Sequence, residues 1–318
     1  MIYLKKKLLG NTGLLVSNIC FGSLTMGPLQ KNLSPQKGCQ LLKYGFDRGI
    51  NFIDTAELYE TYPHITLALK GYNRNNIVIG TKSYAYSKDS AEKSLRKALE
   101  EMELDYIDIF LLHEQENEHT LKGHYEALEY FVKMKEKGYI KAIGISTHHI
   151  AAIKASLSIK EIEVLHPIVN ISGLGIQDGT IEEMLLALES AKKAGKGIYG
   201  MKPLGGGNLL KSFKECFKFV LQLKSLDSIA IGMQSIEEID MNVTIVNEGL
   251  EALADIEINF DNKRLNIAYW CEGCGKCIEG CSHSALSLTN NQLIINHTKC
   301  VLCGYCSKHC PQFCIKVV

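Results

Sequence analysis

The sequence predicts an α/β protein, a parallel (β/α)8 barrel followed by a small α+β domain that holds metal through cysteine. Three observations carry this. Eight short β-rich runs alternate with longer amphipathic runs from residue 19 to about 250, that rhythm then stops, and nine of the twelve cysteines lie after residue 270. A chain of 318 residues accommodates one barrel of about 250 residues and an appendage. The expected division is residues 1–262 and 263–318.

Ahead of the first strand, "KKKLLGNTGLLVS" reads as a hairpin turning at Asn11 to Gly13 that closes the lower end of the barrel. The strands follow as "ICFG" (19–22), "NFIDT" (51–55), "IVIGTK" (77–82), "IDIFLLH" (107–113), "KAIGIS" (141–146), "EVLHPIVN" (163–170), "GIYGMKP" (197–203) and "SIAIGM" (228–233). Each precedes a plausible helix. In "SPQKGCQLLKYGFDRG" Ser34 is the N-cap and Gly49 the stop, and "DSAEKSLRKALEEM" has the same amphipathic character.

Thirty-five basic residues balance thirty-five acidic ones, so neither nucleic acid nor an anionic membrane is an expected partner. No run of roughly 18 apolar residues is present to span a bilayer. A soluble, cytoplasmic protein is expected. Only Cys20, Cys39 and Cys216 lie outside the C-terminal cluster, which is no disulfide framework; clustered thiols of this kind read as metal ligands kept reduced.

Those thiols repeat. "CEGCGKCIEGCSHSALSL" and "CVLCGYCSKHCPQFCIKV" superpose at a spacing of 29 residues, matching four cysteines, Gly275 with Gly304, and Leu286 with Ile315. Cys314 aligns with Ala285, a small packing residue, and so reads as core filling. Both halves have the form C-x2-C-x2-C-x3-C. Zinc sites draw pairs of ligands from separated segments, whereas three cysteines at steps of three wrap a cubane, so iron and sulfur suit the spacing better. The segment closely resembles the bacterial ferredoxins with two four-iron clusters. That resemblance implies two [4Fe-4S] clusters with crossed fourth ligands: Cys271, Cys274, Cys277 and Cys310 for one, Cys300, Cys303, Cys306 and Cys281 for the other. Ser282 stands where the family has proline.

Active-site residues of such barrels come from the upper ends of the strands. Asp54, Tyr59, Lys82 and His113 fall there, within "FIDTAELY", "IGTKS" and "DIFLLHE". Each alone has a structural explanation as a cap, a rim aromatic, a surface charge or a core histidine. Together they resemble the tetrad of the aldo-keto reductases, over most of residues 1–250. The resemblance implies reduction of a small-molecule carbonyl with NADH or NADPH. Tyr59 would be the general acid, Lys82 would lower its pKa, Asp54 would hold Lys82, and His113 would orient the carbonyl oxygen.

The same resemblance marks cofactor positions. In "GISTH" Ser146 and Thr147 stand at the carboxamide segment, with His166 and Asn170 on the sixth expected strand. "MKPLGGGNL" resembles the pyrophosphate loop, through Met201, Lys202, Pro203, Leu204, Gly205 and Gly207, the glycines letting backbone N–H groups approach oxygens. Ser235, Glu238 and Asn242 stand at the adenine end. Glu238 replaces an arginine of NADPH-specific members, which favours NADH. Glu114 and Gln115 after His113 suggest a polar substrate. "HEQENEH" fails the H-E-x-x-H zinc spacing because position 117 is asparagine, and reads as a solvated loop.

One difficulty remains in the electron count, because hydride carries two electrons and each cluster passes one, with no flavin signature to convert between them. Three readings follow: a nicotinamide-dependent carbonyl reductase with structural or sensing clusters, cluster-fed one-electron reduction at the barrel, or an electron carrier whose barrel only docks partners. Residues 269–318 carry Lys276, Lys299, Lys308 and Lys316 against Glu272 and Glu279, so an external redox partner is expected to present an acidic face. The domain itself is expected beside the catalytic mouth, with Tyr269 and Trp270 walling the pocket.

Overall fold

A computed structural model of the chain describes residues 4–249, 251 and 263–318. The hairpin is present as β1 (Lys6–Leu8) and β2 (Leu15–Ser17), paired antiparallel. It places Leu9, Leu14 and Val16 under the barrel, in one cluster with the inward-facing Cys20, Phe52, Val78, Ile109, Leu111, Val164 and Tyr199. The floor is therefore plugged by apolar side chains.

The barrel itself is closed, with parallel strands β3 (Ile19–Gly22), β4 (Phe52–Asp54), β5 (Val78–Ser83), β6 (Ile107–Leu112), β7 (Ile140–Thr147), β8 (Val164–Pro167), β9 (Gly197–Met201) and β10 (Ser228–Gly232). All eight expected strands form. The second, sixth and seventh are shorter than the sequence suggests; the sixth and seventh end where Asn170 closes its own loop and Lys202 begins a turn. Helices cover the outside. Ser34 caps α1 (Pro35–Asp47), its side chain accepting from Lys37 N, and Gly49 beyond the end has φ +96°. Ser87 caps α3 (Lys88–Met102), which begins one residue before the expected start and follows α2 (Tyr62–Leu69). Next come α4 (Glu118–Gly123), α5 (Tyr125–Glu136), α6 (Ile150–Ser156), α7 (Ile181–Lys193), α8 (Phe213–Gln222) and α9 (Ile236–Glu248). Asn117, which spoils the zinc spacing, is the N-cap of α4.

The expected domain boundary after residue 262 lies outside the described residues. From Lys263 the chain forms β11 (Leu265–Ile267), α10 (Lys276–Glu279), β12 (Leu286–Thr289), β13 (Gln292–Ile295), α11 (Tyr305–Lys308) and β14 (Ile315–Val317). β12 pairs with β13 and β11 with β14, both antiparallel. The repeat seen in sequence is a structural repeat. Gly275 and Gly304 open the two short helices in the left-handed conformation, φ +78° and +77°, and each half sends a backbone N–H to the sulfur of its fourth cysteine, Ala285 to Cys281 and Cys314 to Cys310.

Candidate active site

The tetrad converges at the upper rim. Asp54 ends β4, a short turn over Glu57–Tyr59 carries Tyr59, Lys82 lies in β5, and His113 follows β6 directly. Lys82 is 1 % exposed, and its ammonium donates to Asp54 Oδ2 at 2.7 Å and to the Thr55 carbonyl at 2.6 Å. Burying that charge without a counter-charge would be prohibitive. The Asp54 carboxylate is itself held by the Tyr199 hydroxyl, which donates to Oδ1 at 2.9 Å. Tyr199 was not visible as a site residue in the sequence; a tyrosine facing the interior of an otherwise apolar strand, "GIYGM", was the available signal.

Lys82 Nζ lies 4.9 Å from the centroid of the Tyr59 ring. The expected lowering of the phenol pKa does not follow. Burial pushes Tyr59 well above the usual tyrosine value, and Asp54, Glu114 and Tyr84 push the same way, since Asp54 matches the Lys82 charge at contact distance. The Tyr59 proton therefore stays on at neutral pH. His113 stands edge-on to Tyr59, centroids 5.9 Å apart, and stacks on Tyr84 at 4.5 Å. Burial brings its pKa down to about 3, helped by Lys82, so it is a neutral imidazole, and its buried Nδ1 has no hydrogen-bond partner. A neutral ring with a free nitrogen suits the orientation of an uncharged carbonyl.

Around this centre lies a second ring of polar groups that sequence reasoning largely missed. Tyr84 donates to Glu114 Oε2 at 2.6 Å, and Lys202 Nζ lies 2.7 Å from His148 Nε2. Burial lowers the Lys202 pKa to about 8. Lys316 arrives from β14: it is 8 % exposed, lies over the Phe313 ring, and donates to the Phe313 carbonyl. Burial and the nearby Lys202 hold it well below the usual lysine range. It is thus no part of a basic outer face, which leaves three lysines there against the two glutamates. Nothing short of the tertiary fold would place residue 316 at the catalytic mouth. Tyr269, 70 % exposed, lies close enough to Tyr84 to act on its phenol, and Trp270 Nε1 donates to the Gln312 carbonyl at 3.4 Å.

The residues expected to meet a dinucleotide are occupied otherwise. Ser146 Oγ accepts from Glu114 N, Thr147 Oγ1 donates to the Gln115 carbonyl, and His166 Nδ1 bonds the Tyr199 carbonyl while its ring stacks on Tyr199. Asn170 closes its own loop, donating to the Leu174 carbonyl and accepting from Ser172 N and Leu174 N. Met201 is buried at the end of β9, and Lys202 to Gly207 turn back on themselves beneath β14. Ser235 caps α9 by accepting from Glu238 N. Both Glu238 carboxylate oxygens are engaged, Oε2 by Gln234 N at 2.7 Å and Oε1 by Lys263 Nζ at 2.6 Å. Asn242 Oδ1 lacks a partner, but the residue is 2 % exposed on the inward face of α9.

The eight repeat thiols gather around two separate cavities. Cys271, Cys274, Cys277 and Cys310 line the first, together with Gly273, Gly275 and Ile315, and Cys281, Cys300, Cys303 and Cys306 line the second. Cys314 lines neither and is fully buried. Among the described residues no group of three or more histidines, cysteines or acids is placed to hold a single metal ion. Four thiols set around a cavity suit a cluster with volume of its own.

Comparison with known proteins bears on both parts. The aldo/keto reductase family matches residues 18–218, and the 4Fe-4S binding domain matches residues 293–316. L-galactose dehydrogenase of Arabidopsis thaliana is 26 % identical over 294 residues, 80 % of this chain and 91 % of that protein. Methylglyoxal reductase of Yersinia pestis is 26 % identical over 201 residues, 55 % of this chain and 71 % of that protein. Among solved structures, the holo form of an aldo-keto reductase from Bacillus halodurans is similar with a TM-score of 0.64 at 21 % identity, covering 81 % of this chain and 99 % of that one. A Bombyx mori aldo-keto reductase in complex with NADP has a TM-score of 0.58 at 16 % identity, covering 82 % and 91 %. These two establish likeness of fold.

Proposed function

We propose that this chain, which belongs to the aldo/keto reductase family and carries a 4Fe-4S binding domain, is an oxidoreductase that reduces the carbonyl of a small polar molecule at the Tyr59 site. The observation that carries the reading is the convergence of Tyr59, Lys82, Asp54 and His113 at one end of the barrel, held by three neighbouring strands and the turns after them.

In this reading Tyr59 gives its proton to the carbonyl oxygen as negative charge develops there. The neutral phenol is available throughout the physiological range because burial and Asp54 hold its pKa up. Lys82, 4.9 Å from the ring, favours the phenolate left behind, and Asp54 with Thr55 and Tyr199 keeps that ammonium from turning away. His113 orients the oxygen. Glu114 and Tyr84 at the rim favour a substrate with polar groups of its own.

Both four-thiol cavities suit [4Fe-4S] clusters, with Cys271, Cys274, Cys277 and Cys310 holding one and Cys281, Cys300, Cys303 and Cys306 the other. Such clusters, when bound, supply electrons singly. The nicotinamide dinucleotide that the family implies does not fit the residues present, since the glycine cradle is filled and Glu238 is paired.

The experiment is Tyr59→Phe assayed with reduced viologen as electron donor and a panel of small carbonyl compounds. A loss of at least ~10²-fold in turnover is expected for removal of a general acid. Undiminished turnover on every compound that the parent protein reduces would end the proposal.

A further inference from the structure

We propose that the last residues of the chain, Phe313 to Val318, together with Lys263, permanently occupy the cleft in which a nicotinamide dinucleotide would lie, so that the Tyr59 site is fed by a one-electron carrier and not by hydride. The inference builds on the carbonyl-reducing role above and names its electron source.

The glycine-rich turn after β9 is the strongest evidence. A Cβ built on Gly206 would come within 2.8 Å of Lys316 Cδ, and one on Gly207 within 2.2 Å of the Val317 carbonyl oxygen. These glycines let another backbone come close, and that backbone is β14. Three amides of the loop are also spent: Gly205 N, Gly207 N and Asn208 N donate to the carbonyls of Lys202, Leu204 and Gly205. Asn208 Nδ2 donates to the Ile315 carbonyl at 2.9 Å, fixing the strand on the loop. A pyrophosphate needs both the space and the free amides.

The two ends of the cleft agree. At the adenine end Lys263, two residues before β11, bridges Gln234 and Glu238. At the nicotinamide end Phe313 stands edge-on to His148, centroids 6.2 Å apart, with Lys202 Nζ 5.2 Å from its ring centroid, and it packs against the position a Gly175 side chain would take.

This is no lid. β14 pairs with β11 over its whole length, and Arg264 and Val318 exchange two backbone hydrogen bonds at 2.9 Å. Leu265, Leu286, Ile315 and Val317 form the core of the cysteine domain. Withdrawing the strand would open that core and pull on Cys310, three residues before Phe313.

The electron balance then restricts the substrate. Carbonyl reduction takes two electrons and two protons, and without hydride the electrons come from two molecules of a reduced low-potential carrier, each oxidised by one electron. An isolated ketone's one-electron-reduced form is too high in energy for iron–sulfur potentials to reach. A conjugated dicarbonyl of quinone type is within reach: two O–H bonds form, both C=O π bonds are lost, and Tyr59 passes the protons.

The test is anaerobic titration of the full-length, cluster-loaded protein with NADH and with NADPH, followed by calorimetry, by the fluorescence of Trp270 (the chain's single tryptophan) and by the visible absorbance of the clusters. Neither nucleotide is expected to bind saturably up to millimolar concentration or to bleach the clusters, whereas reduced viologen bleaches them. Saturable one-site binding in the micromolar range, or bleaching by either nucleotide, would overturn the inference. These readouts need no substrate, so their failure is separate from that of the Tyr59→Phe assay. Unchanged turnover in Tyr59→Phe would sink the catalytic reading while leaving the occupied cleft standing.

Discussion

The protonation of Tyr59 and His113 makes a prediction about pH that differs from the one the sequence suggests. If Lys82 lowered the phenol pKa, carbonyl reduction would decline on the alkaline side as Tyr59 lost its proton somewhere below the free value of about 10. Instead burial, Asp54 and Glu114 raise it, so the acid form persists to higher pH. Raised above the ordinary tyrosine value, Tyr59 keeps its proton at pH 8. On the acid side, burial places His113 at about 3, so no limb near the ordinary histidine value of ~6.5 is expected from it. The profile of kcat/KM against pH, with viologen as donor, should therefore show no ionisation of His113 near neutrality and no Tyr59 limb below pH ~10. In Tyr59→Phe the rate should fall by ~10²- to 10⁴-fold, equivalent to ~3–5 kcal/mol of transition-state stabilisation. An ultraviolet ionisation difference spectrum between parent and Tyr59→Phe reads the phenol directly. A tyrosine ionising below ~9 in that difference, or an acid limb near 6.5 that disappears in His113→Gln, would refute the electrostatic account.

Other consequences are more local. Cys277→Ala should lose about half of the iron and inorganic sulfide while Cys314→Ala keeps both clusters, because Cys314 lies outside both cavities; equal losses would undo the ligand assignment. Tyr199→Phe removes the hydroxyl on Asp54 Oδ1 and should lower stability by ~1.5–3 kcal/mol, the range for a hydrogen bond to a charged group, measured by denaturant unfolding of the loaded protein. Lys202, depressed to about 8 in the folded protein against ~10.4 unfolded, makes the unfolded chain hold more protons between those values, so stability should rise with pH across that window by up to ~3 kcal/mol and the rise should flatten in Lys202→Met. Gly207→Val would force a β-branched residue to φ +86° and drive its Cβ into the Val317 carbonyl, so the cysteine domain should detach and become protease-sensitive while the barrel stays folded.

The legible parts of the structure were those set by local pattern. Short β-rich runs alternating with amphipathic ones marked all eight barrel strands, and the small hairpin was readable from Asn11–Gly13 because a turn needs residues that tolerate its dihedrals. The tetrad was readable only through its resemblance to a known family, and the structure brings its four members together at one end of the barrel. The cysteine spacing and the matched positions of Gly275 and Gly304 were readable from the repeat, and the structure adds that both glycines are left-handed. Interactions between segments far apart in sequence were not. The Tyr199–Asp54 bond joins residues 145 positions apart, and Asn208 meets Ile315 across 107. Lys82 illustrates the limit in energetic terms: its type and position were evident, but its effect on Tyr59 depends on how completely Asp54 compensates it, which is a matter of ångströms.

The glycine loop shows why a motif alone does not decide its occupant. "GGG" states only that a backbone must be approached closely and that φ will be positive; Gly205, Gly206 and Gly207 have φ of +58°, +63° and +86°. A phosphate and a β-strand make the same steric demand. What separates them is whether the amides point outward to an anion or inward to the loop's own carbonyls, and here Gly205 N, Gly207 N and Asn208 N point inward. The approaching strand also brings its own cation: Lys316 enters beside Lys202, where a dinucleotide would have brought negative charge, and the two amines are tolerated together because burial and mutual repulsion hold the Lys316 proton affinity down and Glu114 supplies the counter-charge. An anion drawn to that pair would have to displace a buried lysine side chain anchored on the Phe313 carbonyl. Lys316→Met tests this step. It keeps the stem that fills the cradle and removes the amine, so it should leave the domain docked; a domain that detaches in Lys316→Met would show that the amine, and not the packing of β14 on the glycines, holds the two parts together.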